Sequence, residues 1–321
     1  MYASLPDLLR LVAVPVLGWA AYTDVQTRRV SDRLWPPLFV LGVVLLGWEW
    51  LSLPAYRQDL FLVRVGVSLF VAGLAYLFWL TGGFGGADFK ALAVLAVLFP
   101  TFPTYYVGEW ALPIVVSTLG VFSLSVLTNA MLASLAYPLV LGVRNALDGE
   151  FALRMFVGRH VPVAETVETH GSLLEGSEGF TRSGLDLDAL RMYLRWRGVS
   201  LAEVRADPDH YRDPASLPDE PNEPTDGAVH LRPDGGTDPA ETDRPAADDP
   251  WGAAAFLADI EGDAYGTTPR QLRAGLDLLC ERERVWISPG IPFVVPIFGG
   301  LVVGLVFGDL LFALLRALAV A

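Results

Sequence analysis

Three residue types are scarce in this 321-residue chain. Cysteine occurs once, at Cys280, which excludes a disulfide framework and any zinc site built from this chain's own thiolates. Histidine occurs four times, at His160, His170, His210 and His230, never at the spacing of a helical metalloprotease motif, so no metal site is expected. Lysine occurs once: of 23 basic residues, 22 are arginine and the other is Lys90. Charged residues make up only 18% of the chain, and acid exceeds base by 36 to 23, a net charge of −13. With no basic stripe, nucleic-acid binding is not expected. Arginine in place of lysine points to a GC-rich genome. Together with the acid excess it also suits a high-salt, halophilic cytoplasm, although codon bias alone would remove lysine as well.

What is abundant is apolar. Hydrophobic residues make up 53% of the chain and the mean hydropathy is +0.42, above what a soluble domain usually carries. High hydropathy and a large negative charge are compatible if apolar segments lie in a bilayer and acidic segments in water. A span needs about 20 apolar residues. Six are expected: Leu5–Tyr22, Leu34–Leu53, Leu60–Leu80, the short Phe89–Phe99, Leu112–Val143 and Ile291–Leu315. Arg10 and Arg64 are expected to snorkel, Glu49 and Asp59 to lie in outer loops, and Asp309 to mark the aqueous interface or a cap. Arg28, Arg29, Arg33, Lys90, Arg144, Arg154, Arg159, Arg282 and Arg284 all border one face, which the positive-inside rule makes cytoplasmic, with both termini outside.

The fold class expected is therefore an all-α membrane protein of six transmembrane helices, with a cytoplasmic α+β insertion between the fifth and sixth. The division runs 1–144 as the membrane core, 145–204 as a folded insertion, 205–250 as a linker, 251–288 as further helices and 289–321 as the last span. Strands are expected around Phe151, Leu153 and Met155 and around Val161 and Val163. Ser200–Glu203 and Thr268–Gln271 read as capping boxes that start helices near 201–206 and 269–284. Arg205–Pro250 holds 13 acidic residues, four arginines and nine prolines, a composition that predicts disorder.

Ionisable residues at membrane depth are functional candidates by default. Asp24 closes the first span and Asp88 opens the fourth, in Gly82-Gly83-Phe84-Gly85-Gly86-Ala87-Asp88-Phe89-Lys90. Two complete spans separate them, so both carboxylates return to one face. Two close carboxylates can share a proton, one activating water while the other polarises a carbonyl. Glycines beside Asp88 permit close approach of a substrate backbone or a neighbouring helix. The plainer alternatives are a flexible loop with Asp88 capping a helix, and Asp24 as a stop signal near the headgroups.

On these residues the chain resembles the type IV prepilin peptidases, in particular the archaeal preflagellin (archaellin) and prepilin peptidases, which are GxGD-type membrane aspartic peptidases. Asp24-Val25-Gln26-Thr27-Arg28-Arg29-Val30 resembles the first aspartate motif, Gly85-Gly86-Ala87-Asp88-Phe89-Lys90 the second, and Val285–Phe293 the archaeal tail. Ala87 departs from the glycine of the motif. The resemblance implies Asp24 and Asp88 as catalytic residues, with Gly85, Gly86 and Lys90 supporting them and no cofactor. It implies prepilin or archaellin precursors as substrates, cut at the cytoplasmic boundary of the lipid bilayer in a multi-pass cell-membrane protein. The paired cysteines of methylating bacterial relatives are missing, which implies cleavage without N-methyltransferase activity. Other readings remain open here: a presenilin-like intramembrane protease (no Pro-Ala-Leu element is present), a proton- or cation-linked transporter or scaffold, or an inactive homologue acting through its insertion.

Overall fold

The computed structural model describes residues 3–81, 83–176, 179–181, 184–227, 249–260, 264–290 and 293–320. In chain order the elements are α1 (Leu5–Arg10), α2 (Ala13–Thr27), α3 (Trp35–Ser52), α4 (Ala55–Leu80), α5 (Gly86–Leu98), β1 (Tyr105–Val107), β2 (Trp110–Leu112), α6 (Phe122–Leu147), β3 (Arg159–Pro162), β4 (Ser172–Leu173), β5 (Glu175–Gly176), β6 (Gly179–Phe180), α7 (Leu187–Arg197), α8 (Leu201–Ala206), α9 (Pro208–Arg212), α10 (Ala253–Asp259), α11 (Pro269–Glu281), β7 (Arg284–Ser288), α12 (Val294–Val306) and α13 (Leu310–Val320). Two compact units form, 1–137 with 292–321, and 138–291.

The first unit is helical and apolar. Among the described residues, four helical stretches are long and apolar enough to cross a membrane: Leu5–Thr27, Asp32–Ser52, Ala55–Leu80 and Phe122–Leu147. Six spans were expected, the fourth of them short; four stretches reach membrane length, accompanied by the shorter apolar helices α5, α12 and α13. The short fourth one, α5, lies at the centre, packed by α3, α4 and α12, while α12 also lies on α2. Most of α5 from Ala91 to Leu98 is buried, which explains an apolar run with no polar face.

At 13 residues, α5 is about 20 Å long, short of the ~30 Å hydrocarbon thickness. Its C-terminal carbonyls must find partners inside the protein. Ala96 accepts from the Ser68 hydroxyl at 2.6 Å, Leu98 from Arg10 Nε at 2.6 Å, and Phe99 from the Ser123 amide at 3.0 Å. Arg10 does not snorkel as expected. It is fully buried, because Glu49 and Asp7 take its remaining donors at 2.6–2.9 Å. Glu49 accordingly belongs to α3, not to an outer loop.

Two expected spans are corrected. The fifth was expected from Leu112, yet α6 begins at Phe122. Tyr105–Leu112 instead forms the β1–β2 hairpin, with Tyr105 opposite Leu112. The sixth, Ile291–Leu315, breaks at Gly308 into α12 and α13. There φ is +107°, and a Cβ would lie 1.8 Å from the Val115 carbonyl oxygen. Val115 donates to Phe307 O at 2.7 Å and accepts from the Asp309 amide at 3.1 Å, so a single parallel β-bridge between Val115 and Gly308 occupies the place of a helical turn. Asp309 is buried, caps α13 through the Phe312 amide at 2.8 Å and accepts from Ser125 at 2.5 Å.

The second unit builds its own core around Tyr193, Trp251, Phe256, Leu272 and Leu276, drawing on both sides of the acidic stretch. A three-stranded antiparallel sheet places β7 between β3 and β4. Both capping boxes form: Ser200 and Thr268 accept from the amides three residues on, and Glu203 and Gln271 reach back. The second of these helices, expected over 269–284, ends at Glu281. Leu153–Phe156 forms a 3₁₀ turn where a strand was expected, Val161 does lie in β3, and Val163 opens another 3₁₀ turn. Of the expected linker, 228–248 lie outside the described residues. Within the rest, Pro208–Arg212 is helical and Asp249 is buried, accepting from the Ala254 and Ala255 amides and from Arg273.

Candidate active site

Asp24 lies in the last turn of α2, which closes with Arg28 in the left-handed region (φ +56°), its amide donating to Asp24 O at 2.9 Å. Asp88 is the third residue of α5, whose N-cap is Gly85. The two long helices α3 and α4 run between them in sequence and return the chain to meet itself. Asp24 is 7% exposed and Asp88 8% exposed, and the Asp88 carboxyl lies within electrostatic reach of Asp24. The Arg28 guanidinium acts on Asp24 from the chain just beyond α2.

The Asp88 carboxylate reaches back along its own helix. Oδ2 accepts the Gly85 amide at 2.9 Å, which satisfies one orphan donor at the helix start. The Val294 amide, at the start of α12, is a second backbone partner. Phe84 stacks on Phe293 with ring centroids 4.9 Å apart, so the glycine-rich turn is held against the entry to α12. The site is thus a junction of three helix ends: the C-terminus of α2 and the N-termini of α5 and α12.

The supporting residues separate. Gly85 is closely fitted, since a Cβ there would lie 3.1 Å from Asp88 Oδ2. Gly86 is not, as its Cβ would meet only the Trp79 indole nitrogen at 3.7 Å. Lys90 Nζ pairs with Asp32 at 2.6 Å rather than with either site aspartate. Two residues apart on a helix, Asp88 and Lys90 face different ways, and Lys90 ties α5 to the turn that follows Asp24. Asp32 and Val294 were missed from sequence. A contact between residues 32 and 90 leaves no local pattern, and a backbone amide leaves none at all. Among the described residues, no group of three or more His, Cys, Asp or Glu side chains could hold a metal ion.

Comparison with known proteins addresses the same region. Residues 11–139, which contain both aspartates, match the Type IV leader peptidase family, and residues 255–310 match the Archaeal Peptidase A24 C-terminus Type II. The preflagellin peptidase of Methanocaldococcus jannaschii is 24% identical over 165 residues, covering 50% of this chain and 69% of that protein. With membrane-length helices, these matches define an aspartic-type endopeptidase of the membrane. The chain belongs to the archaeal branch of the type IV prepilin and preflagellin peptidases.

Proposed function

We propose that Asp24 and Asp88 are the acid–base pair of this peptidase and that it removes class III signal peptides from prepilin or archaellin precursors. The observation that carries this reading is the placement of two buried carboxylates, Asp24 at the end of α2 and Asp88 at the start of α5, on helices separated by two membrane-length helices, with the Asp24 charge within electrostatic reach of Asp88. The ionised member takes a proton from water, the protonated member donates to the scissile carbonyl, and the proton returns to the leaving amine. Gly85 contributes the amide that orients Asp88 and leaves room beside it; Gly86 opens α5 and has space for a side chain; Lys90 positions α5 through Asp32.

In this reading six helical segments cross or enter the bilayer, the insertion between α6 and α12 is cytoplasmic, and cleavage takes place at the cytoplasmic boundary. Arg28, Arg29 and Arg33 beside the site, Arg144 in the last turn of α6, and Arg154 and Arg159 after it favour that orientation. The linker, centred on the acidic stretch within 205–250, joins two parts of the insertion. One cysteine cannot supply the paired thiolates of the methylating relatives, so the new terminus stays unmethylated. Co-expression with candidate precursors tests the proposal. A mass shift equal to leader loss, with an unmethylated N-terminus, supports it; unprocessed precursor beside membrane-inserted enzyme, for every pilin-like candidate, contradicts it.

A further inference from the structure

The second unit carries apolar side chains that its core does not use. Near its end, α6 exposes Leu139, Val140 and Val143, as a helix facing lipid should. The exposed apolar run does not stop with the helix: Leu147 is 83% exposed, Phe151 77% and Leu153 92%. Single exposed apolar residues are ordinary, but a contiguous set marks a contact surface.

The loop that bears them is tied down. Asn145 is buried, and its side-chain amide donates to Met155 O and Gly158 O, both at 2.7 Å. The Glu150 amide returns to Asn145 O at 2.8 Å, and Glu150 Oε1 lies 2.6 Å from His160 Nδ1. The Phe156 ring covers Gly142, where a Cβ would lie 2.5 Å from it. Backbone and polar groups are thus bound to the last turns of α6, and Phe151 and Leu153 are the most exposed apolar side chains of the loop, ahead of Phe156 and Val157.

Two features identify the occupant. The apolar tips follow within six residues of the end of a membrane-length helix and continue its exposed apolar side chains. They also sit among three arginines and two acids: Arg144 before them is exposed, Arg159 after them is half-buried, Arg154 among them is held by Glu175 at 2.8 Å, and of the acids Asp148 is exposed while Glu150 lies against His160. Apolar tips flanked by arginine suit the headgroup layer of a bilayer with anionic lipid.

We infer that the loop Gly149–Val157 lies in the bilayer interface, with Phe151 and Leu153 seated at the boundary between headgroups and acyl chains. This contact is independent of the peptidase chemistry. It gives the polar unit a second hold on the membrane beyond the helix that leads into it.

The test uses the full chain, one copy per nanodisc of mixed neutral and anionic phospholipid, with Cys280→Ala and one new cysteine carrying a nitroxide. Positions are Leu153→Cys, Phe151→Cys as a second probe of the same loop, and Asp209→Cys as a water reference, its side chain being 98% exposed. Power-saturation spectroscopy compares collision with oxygen, which concentrates in lipid, and with a water-soluble nickel chelate. The inference predicts severalfold less nickel collision and more oxygen collision at 151 and 153 than at 209. Nickel access at 151 and 153 equal to that at 209 overturns it. So does low access to both reagents, the mark of a protein contact.

Discussion

The Asp88 carboxylate holds the first turn of α5 through the Gly85 amide, and it lies within electrostatic reach of Asp24. The two properties can be separated, because asparagine keeps an acceptor oxygen for Gly85 while removing the acid. Gly85 and Gly86 look alike in the sequence but differ in space. Gly85→Ala pushes a methyl against Asp88 Oδ2, and a displacement of that kind lowers turnover by roughly tenfold to a hundredfold. Gly86→Ala leaves turnover within about twofold, since its Cβ meets only an ordinary 3.7 Å contact. Steady-state cleavage by both variants checks this, and equal losses would show that the fit at Gly85 is irrelevant. The position of both aspartates at helix ends was legible from motif and parity. The role of Lys90 was not, because its partner Asp32 sits in a turn with no signature.

At the scale of elements, α5 is the unusual part: a buried helix too short for its setting, with its last carbonyls satisfied by Ser68, Arg10 and the Ser123 amide. Arg10→Met would leave Glu49 and Asp7 without their cation and Leu98 O without its donor. It should destabilise the first unit by about 3–5 kcal/mol, read as lowered thermal unfolding in detergent; an unchanged midpoint would mean that water replaces the guanidinium. In the second unit, Asp186 caps α7 through the Asp188 amide at 2.8 Å. Burial pushes its carboxyl up to about 6, against the Ala189 amide and the charges of Arg191 and His170. A carboxyl raised on folding adds stability that is full below its unfolded value and is lost as pH rises through the folded one. Hydrogen exchange in α7 should therefore become faster relative to its intrinsic rate between about pH 4 and 6. Asp186→Asn, an equally good cap, should flatten that dependence; the same slope in the variant would assign it to another group. The capping boxes were legible because they are local. The late start of α6 and the break at Gly308 were not, because Leu112–Val121 and Ile291–Leu315 are as apolar as spans, and the pairing of Val115 with Phe307 and Asp309 that interrupts them leaves no local pattern.

At the scale of the whole molecule, hydropathy and charge separated as the composition required. Apolar residues fill four membrane-length helices, the last of which runs on from residue 137 into the second unit, and most of the excess acid falls in 205–250, within that second unit. That partition was readable because it depends only on sums over long windows. Which apolar segments cross fully was not readable, because burial by neighbouring helices and burial by lipid select the same residues. The central claim is that Asp24 and Asp88 act as one acid–base pair. Its most direct measurement is cleavage of a purified precursor in vesicles by the unmodified enzyme, Asp24→Asn, Asp88→Asn and the double variant, each first shown to be membrane-inserted. The account predicts that either single change abolishes cleavage as completely as both together, as expected of residues acting as a unit. Cleavage retained by either single variant would contradict it.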